Sequence, residues 1–135
     1  MHAADACGRP AANAPLSWIT QTVLKILPPS ARTPENTRKL MLGMNFYGKD
    51  YSFAGANTVL GHDYLQVLEK FKPDMEWLDE EGEHKITYRK AGTEHLLYYP
   101  SLLSIQKRLE LAESLGVGLA IWELAQGLPY FLALF

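Results

Sequence analysis

The sequence predicts an α/β fold: a parallel, helix-covered sheet of which this chain supplies two strands, with a small α+β insert between them. Three observations carry that expectation. Leu40–Tyr47 and Val117–Trp122 are apolar on both faces, the pattern of strands buried on both sides. An amphipathic helical stretch, "SLLSIQKRLELAESLG", leads directly into the second of them. The segment between is of another kind, with short aromatic and β-branched runs separated by tight turns.

In chain order, residues 1–14 are rich in Ala, Gly and Pro and show no periodicity, and they read as a poorly ordered leader. Leu16, Ile19, Val23 and Ile26 then follow helical spacing behind Pro15, a residue suited to a helix start. "PPSARTPENTR" cannot extend that helix, because its prolines lack the amide hydrogen and clash with the preceding turn. The Leu40–Tyr47 strand is closed by Gly48, and "SFAGANTVLG" reads as a loop. "HDYLQVLEKF" has a helical stripe of Tyr64, Leu65, Leu68 and Phe71, with Asp63 and Gln66 spaced as a capping pair. "DMEWLD", "EHKITYRK" and "EHLLYYP" form an antiparallel meander, with "DEEGEHK" as a solvated hairpin tip. The insert is thus expected at about 55–100. Leu102, Ile105, Leu109 and Ala112 make the next helical stripe, Gly116 is placed as its C-cap, and "GLPYFLALF" closes the chain as a short apolar helix or turn.

Two buried strands joined through a helix form a right-handed βαβ unit. Two parallel strands are not a sheet, however, so the sequence reads as part of something larger. Composition agrees with a packed domain: 135 residues, 47% hydrophobic and 21% charged. A net charge of −2 gives no electrostatic case for nucleic acid or an anionic membrane as partner. Cys7 is the only cysteine, which rules out an intrachain disulfide. His2, His62, His84 and His95 have no metal-ligand spacing, so neither metal nor cofactor is expected. No apolar run reaches the roughly 18 residues of a membrane span, and "MHAADACGRPAANAP" has neither the basic nor the apolar region of a signal peptide.

"NAPLSW", "KLMLGMNFYGKDY", "YYPSLLSIQKRLELA" and "GVGLAIWELAQGLPYF" occur in one co-linear order. Together they resemble glycoside hydrolase family 18, the chitinases and chitinase-like proteins, from about Asn13 to Phe135. The resemblance implies a C-terminal fragment of a (β/α)8 barrel, with the two apolar runs as strands seven and eight and the α+β insert between them. In a closed barrel one strand face packs the interior and the other packs the helices, which accounts for the absence of a polar face.

The resemblance also implies a saccharide ligand of the chitin or N-acetylglucosamine type, bound where the strands end. Trp122 is expected to lie under a sugar ring, since a flat indole suits the apolar C–H face of a pyranose. Asn45 and Tyr47 share a strand face and are candidates to wall the same cleft, with Phe46 turned the other way. Glu123 is a further candidate, although its alternation away from Trp122 equally suits a structural hydrogen bond or ion pair. From the insert, Trp77 is the candidate contact, while Tyr88, Tyr98 and Tyr99 are assigned mainly to the insert's core.

Family 18 hydrolysis uses a Glu that ends a D-x-x-D-x-D-x-E pattern on strand four, and these 135 residues contain no such pattern. The Met-x-Tyr-Asp segment of strand six is not matched by "MHAADACGRP" either. No catalytic residue is therefore assigned. Three functions stay open: a chitinase-like saccharide-binding protein to which this chain contributes cleft floor and insert, part of an active chitinase, or a truncated product without independent function. By resemblance the location is secretory or lysosomal, and a scavenger-receptor type of protein partner is implied.

Overall fold

The computed structural model of the chain describes residues 9–135. His2 and Cys7, with most of the expected leader, lie outside the described residues. The rest of that leader does not behave as one. Ala12, Asn13 and Ala14 are buried, and the Asn13 amide donates to Glu83 Oε2 at 3.1 Å.

Helix α1 (Leu16–Ile26) buries Ile19 and Val23 and leaves Ile26 exposed. After the proline-rich connection and the short helix α2 (Pro34–Thr37), strand β1 (Met41–Asn45) enters the core. The chain then departs from the sequence expectation. Residues 48–59, read as a strand end and a loop, form a hairpin of β2 (Gly48–Ser52) and β3 (Gly55–Val59). The insert therefore begins at Gly48 rather than near residue 55. Gly48 is required there: a Cβ would stand 2.5 Å from Tyr98 O and 2.7 Å from the Tyr99 ring.

Helix α3 (Gly61–Phe71) follows. Its Asp63 accepts from the Leu60 amide at 3.5 Å, so the capping partner is Leu60 and not Gln66. The stripe is Tyr64, Val67, Leu68 and Phe71, with Leu65 turned to solvent. The meander is as expected: β4 (Asp74–Leu78), β5 (Glu83–Lys90) and β6 (Thr93–Tyr99) pair antiparallel. They join the hairpin in a five-stranded sheet of order β3-β2-β6-β5-β4.

Helix α4 (Leu102–Leu115) ends at Gly116, whose φ of 68° is a left-handed cap that favours glycine. Its inward face is Ile105, Arg108, Ala112 and Leu115, while Leu102 is exposed. The buried face is thus displaced from the predicted stripe and has an arginine at its centre. β7 (Gly118–Trp122) then pairs parallel with β1 in register, Met41 opposite Gly118 through Asn45 opposite Trp122. The Phe46 amide extends this ladder to Trp122 O at 2.8 Å. The chain closes in 3₁₀ turns over Leu124–Gln126 and Pro129–Leu134.

One hydrophobic cluster joins both sheets. Leu42 and Met44 of β1 and Phe46 just after it pack with Ile105 and Ala112 of α4, Phe131 of the C-terminal turn, and Ile86, Leu97 and Tyr99 of the insert. Phe46 meets Phe131 edge-to-face at 5.3 Å, which directs it away from Asn45 as the alternation predicts. The opposite face of β1 is open at Met41, which is 61% exposed, and at Gly43, and closes at the buried Asn45. An apolar groove of about 200 Å³ runs along it, lined in part by Trp18, Ile26 and Met41.

Candidate functional site

The parallel pairing of β1 with β7 brings Asn45 and Trp122 side by side at the same end of both strands. Asn45 is buried, and its Nδ2 donates to Tyr47 O at 2.8 Å. Asn13 Nδ2 donates to the same carbonyl at 3.3 Å. The backbone that leaves β1 is thereby held by two side-chain amides just where it turns into the insert. Tyr47 is half-buried, and Lys49 Nζ lies 5.7 Å from the centre of its ring.

Trp122 is 64% exposed. The indole ends β7, a strand that is at most half-buried, and its exposure forgoes the burial that an aromatic of this size favours. The peptide between Trp122 and Glu123 is cis. Glu123 is exposed, and its carboxylate has no hydrogen-bond or ion-pair partner among the described residues.

Trp77 is not brought to this rim. It sits on β4, the sheet edge three strand spacings, about 14 Å, from β2. Its ring packs edge-on to His84 at 4.9 Å and its Nε1 donates to Asp79 Oδ1 at 2.6 Å. Tyr88, Tyr98 and Tyr99 are all buried, in line with their assignment to the insert's interior. Tyr99 stacks on Tyr64 of α3 at 4.1 Å, and burial pushes the Tyr64 hydroxyl up to about 12.

Two clusters behind the site were not visible in the sequence. Arg108 lies at the centre of the first. Its Nη1 donates to Gly82 O and Ser104 O, both at 2.8 Å. Its Nη2 donates to Ala14 O at 2.7 Å and to Glu83 Oε1 at 2.8 Å. Glu83 is 1% exposed, which corrects the reading of "DEEGEHK" as a wholly solvated tip. Burial raises the Glu83 carboxyl against the pull of Arg108, and burial lowers the Arg108 guanidinium against the pull of Glu83. Because Glu83 also accepts from the Asn13 amide, and Asn13 reaches Tyr47 O, this clasp runs from α4 to the rim.

The second cluster centres on Asp50. Its carboxylate accepts from Tyr88 Oη at 2.8 Å and pairs with His95 Nδ1 at 2.9 Å. Burial and the neighbouring Asp50 push the Tyr88 hydroxyl well above the ordinary phenol range. Asp50 and His95 stand 45 residues apart and meet only because β2 lies beside β6. Among the described residues no group of three His, Cys, Asp or Glu is placed to hold a metal. No helix among them is long and apolar enough to cross a membrane.

No protein-family model matches the chain. Its architecture is that of solved chitinase-type enzymes. The Bacillus megaterium QM B1551 spore cortex-lytic enzyme SleL superposes with a TM-score of 0.79 at 19% identity, over 94% of this chain and 30% of that one. A chitinase from Chromobacterium violaceum ATCC 12472 gives 0.78 at 16% identity, over 92% and 38%. A variant of the class V chitinase of Nicotiana tobaccum, solved in complex with NAG4, gives 0.55 at 12% identity, over 70% and 32%. The chain therefore has the fold of the C-terminal part of a chitinase-like (β/α)8 barrel, and it spans 30 to 38% of the length of these three chains.

Proposed function

We propose that the chain contributes the floor and one wall of a saccharide cleft to a chitinase-like protein of the glycoside hydrolase family 18 kind, and that its role is binding rather than bond cleavage. Within that family the reading places it nearest to the chitinase domain-containing, stabilin-interacting proteins, on the blocks from "NAPLSW" to "GVGLAIWELAQGLPYF". The observation that carries the proposal is the placement of Trp122: an indole 64% exposed at the end of β7, opposite Asn45 and beside the turn that holds Tyr47. Such a plane suits the C–H face of a pyranose. Asn45 and the Glu123 carboxylate offer polar groups for hydroxyl and acetamido partners.

The fold supports this reading, since the neighbours are chitinases and a spore cortex-lytic enzyme, and one was solved with NAG4. A secretory or lysosomal location follows from the same proposal, as does a protein partner of the scavenger-receptor type.

The test is isothermal titration with chitotetraose, followed by chromatography of the sugar after prolonged incubation. Binding with the tetramer recovered intact is expected, together with at least a tenfold loss of affinity in Trp122→Ala. Equal affinity in a folded Trp122→Ala protein would remove the indole from the site. Release of shorter sugars would replace binding with hydrolysis.

A further inference from the structure

We propose that this chain associates head to tail with further copies of itself, the free edge of β7 in one copy pairing in parallel with the free edge of β1 in the next. The contact is built from two open strand edges and is independent of the saccharide site.

In a (β/α)8 barrel every strand is paired on both edges. Here β1 and β7 form a sheet of two strands, so each has one edge unpaired among the described residues. Leu40 O accepts from the Gly118 amide at 2.9 Å, and the Phe46 amide donates to Trp122 O at 2.8 Å. The amide and carbonyl of one strand residue point to the same side, and successive residues alternate. The even-numbered residues of β1 therefore bond to β7, and the backbone groups of Met41, Gly43 and Asn45 point to the open edge. On the far side of β7, Leu119 and Ile121 are placed likewise. Past Asn45 the β1 edge is closed, because Tyr47 O takes the side-chain amides of Asn13 and Asn45.

Sheets commonly guard an open edge with charge or proline. The β4 edge of the insert follows that rule with Asp74 and Glu76. β1 and β7 do not: neither "MLGMN" nor "GLAIW" contains a charged residue or a proline. The apolar groove reaches the β1 edge, since the consecutive residues Leu40–Gly43 line it and their side chains leave the strand on alternate faces. Its other wall is α1, where Trp18 is 46% and Ile26 58% exposed. No residue lining it is charged. The groove fits an extended apolar strand lying beside β1 and under α1.

β7 is such a strand, and it already pairs with β1 in parallel and in register within the chain. A second copy's β7 on the other side of β1 continues the same sheet with the same polarity. Leu119 and Ile121, half-buried in one copy, then gain the apolar wall of α1. Two β1 edges do not serve each other. Joined antiparallel, they bring both α1 helices to one side of the seam and into the same space. The contact is thus heterologous, and each added copy presents a fresh edge of either kind, so growth passes the dimer to a closed ring or an open filament.

Sedimentation velocity and native mass spectrometry of the full chain, over about a hundredfold range of concentration, test this. A Cβ at Gly43 meets nothing within 4 Å, so Gly43→Ala leaves the edge usable. Gly43→Pro removes the edge amide and puts a ring in its place, while sparing the bonds to β7. Circular dichroism checks that each variant keeps the wild-type fold. Met41→Lys, which sets a charge in the groove, replaces Gly43→Pro if the proline variant does not fold. The wild type and Gly43→Ala should grow beyond the dimer as concentration rises, and Gly43→Pro should need at least about tenfold more protein to associate. Labelled Gly43→Pro, with its β7 edge intact, should still bind unlabelled wild type. A wild type that stays monomeric or stops at the dimer overturns the proposal, as does a Gly43→Pro protein that assembles like the wild type. Failure of labelled Gly43→Pro to bind wild type would mean that like edges pair, and overturns it too.

Discussion

Arg108→Met is the perturbation that most directly tests how the insert is fastened to α4 and to the segment at Ala14. Arg108 is 4% exposed and bonds the carbonyls of Gly82, Ser104 and Ala14 as well as Glu83. Methionine fills much of the same volume but removes every donor. Leaving Glu83 buried without its cation costs about 3–5 kcal/mol; Ser104 O keeps its helical amide donor within α4, so the carbonyls orphaned are those of Gly82 and Ala14, each adding about 1–3 kcal/mol less whatever water restores. A loss of at least about 4 kcal/mol follows, a large part of the 5–15 kcal/mol that holds a typical domain. Urea unfolding followed by circular dichroism measures it. The double variant Arg108→Met/Glu83→Leu separates the two contributions. It removes the stranded charge but not the unmet carbonyls, and should remain about 2 kcal/mol below the wild type. A double variant as stable as the wild type would refute the weight given to the carbonyl bonds. An Arg108→Met protein within about 1 kcal/mol of wild type would refute the clasp altogether.

Two other expectations concern strand faces and pH. Met44→Lys forces a charge into a site 1% exposed and should cost more than about 3 kcal/mol, while Met41→Lys, at 61% exposure, should fall within about 0.5 kcal/mol; the reverse order in urea unfolding would mean that the two faces of β1 have been exchanged. Burial raises Tyr64 from 10.0 to about 12. The unfolded chain then loses its phenolic proton first, so stability is intact below pH 10 and declines as the pH rises from 10 towards 12. Tyr64→Phe should flatten that decline by about one proton, and an unchanged slope would show that Tyr64 does not titrate in this way.

The pairing of β1 with β7 was legible from sequence because both runs lack polar alternation, although within this chain Met41 of β1 is 61% exposed and no residue of β7 is buried, so the expected cover on both faces is not seen. Gly116 announced its turn for an equally local reason, since a positive φ is the property of one residue. The β2–β3 hairpin was missed because its edge strand is exposed and small, so "SFAGANTVLG" lacks the apolar alternation that would distinguish it from a loop. Glu83 read as part of a solvated tip, and its burial depends on Arg108, whose guanidinium also bonds Ala14 O, 94 residues away along the chain. Asp50 and His95 meet for the same reason, through strand order alone. Periodicity records which face of an element avoids water. Which distant backbone arrives to satisfy a charge on that face, and whether an aromatic such as Trp122 or Phe53 is left uncovered, is decided when the elements pack.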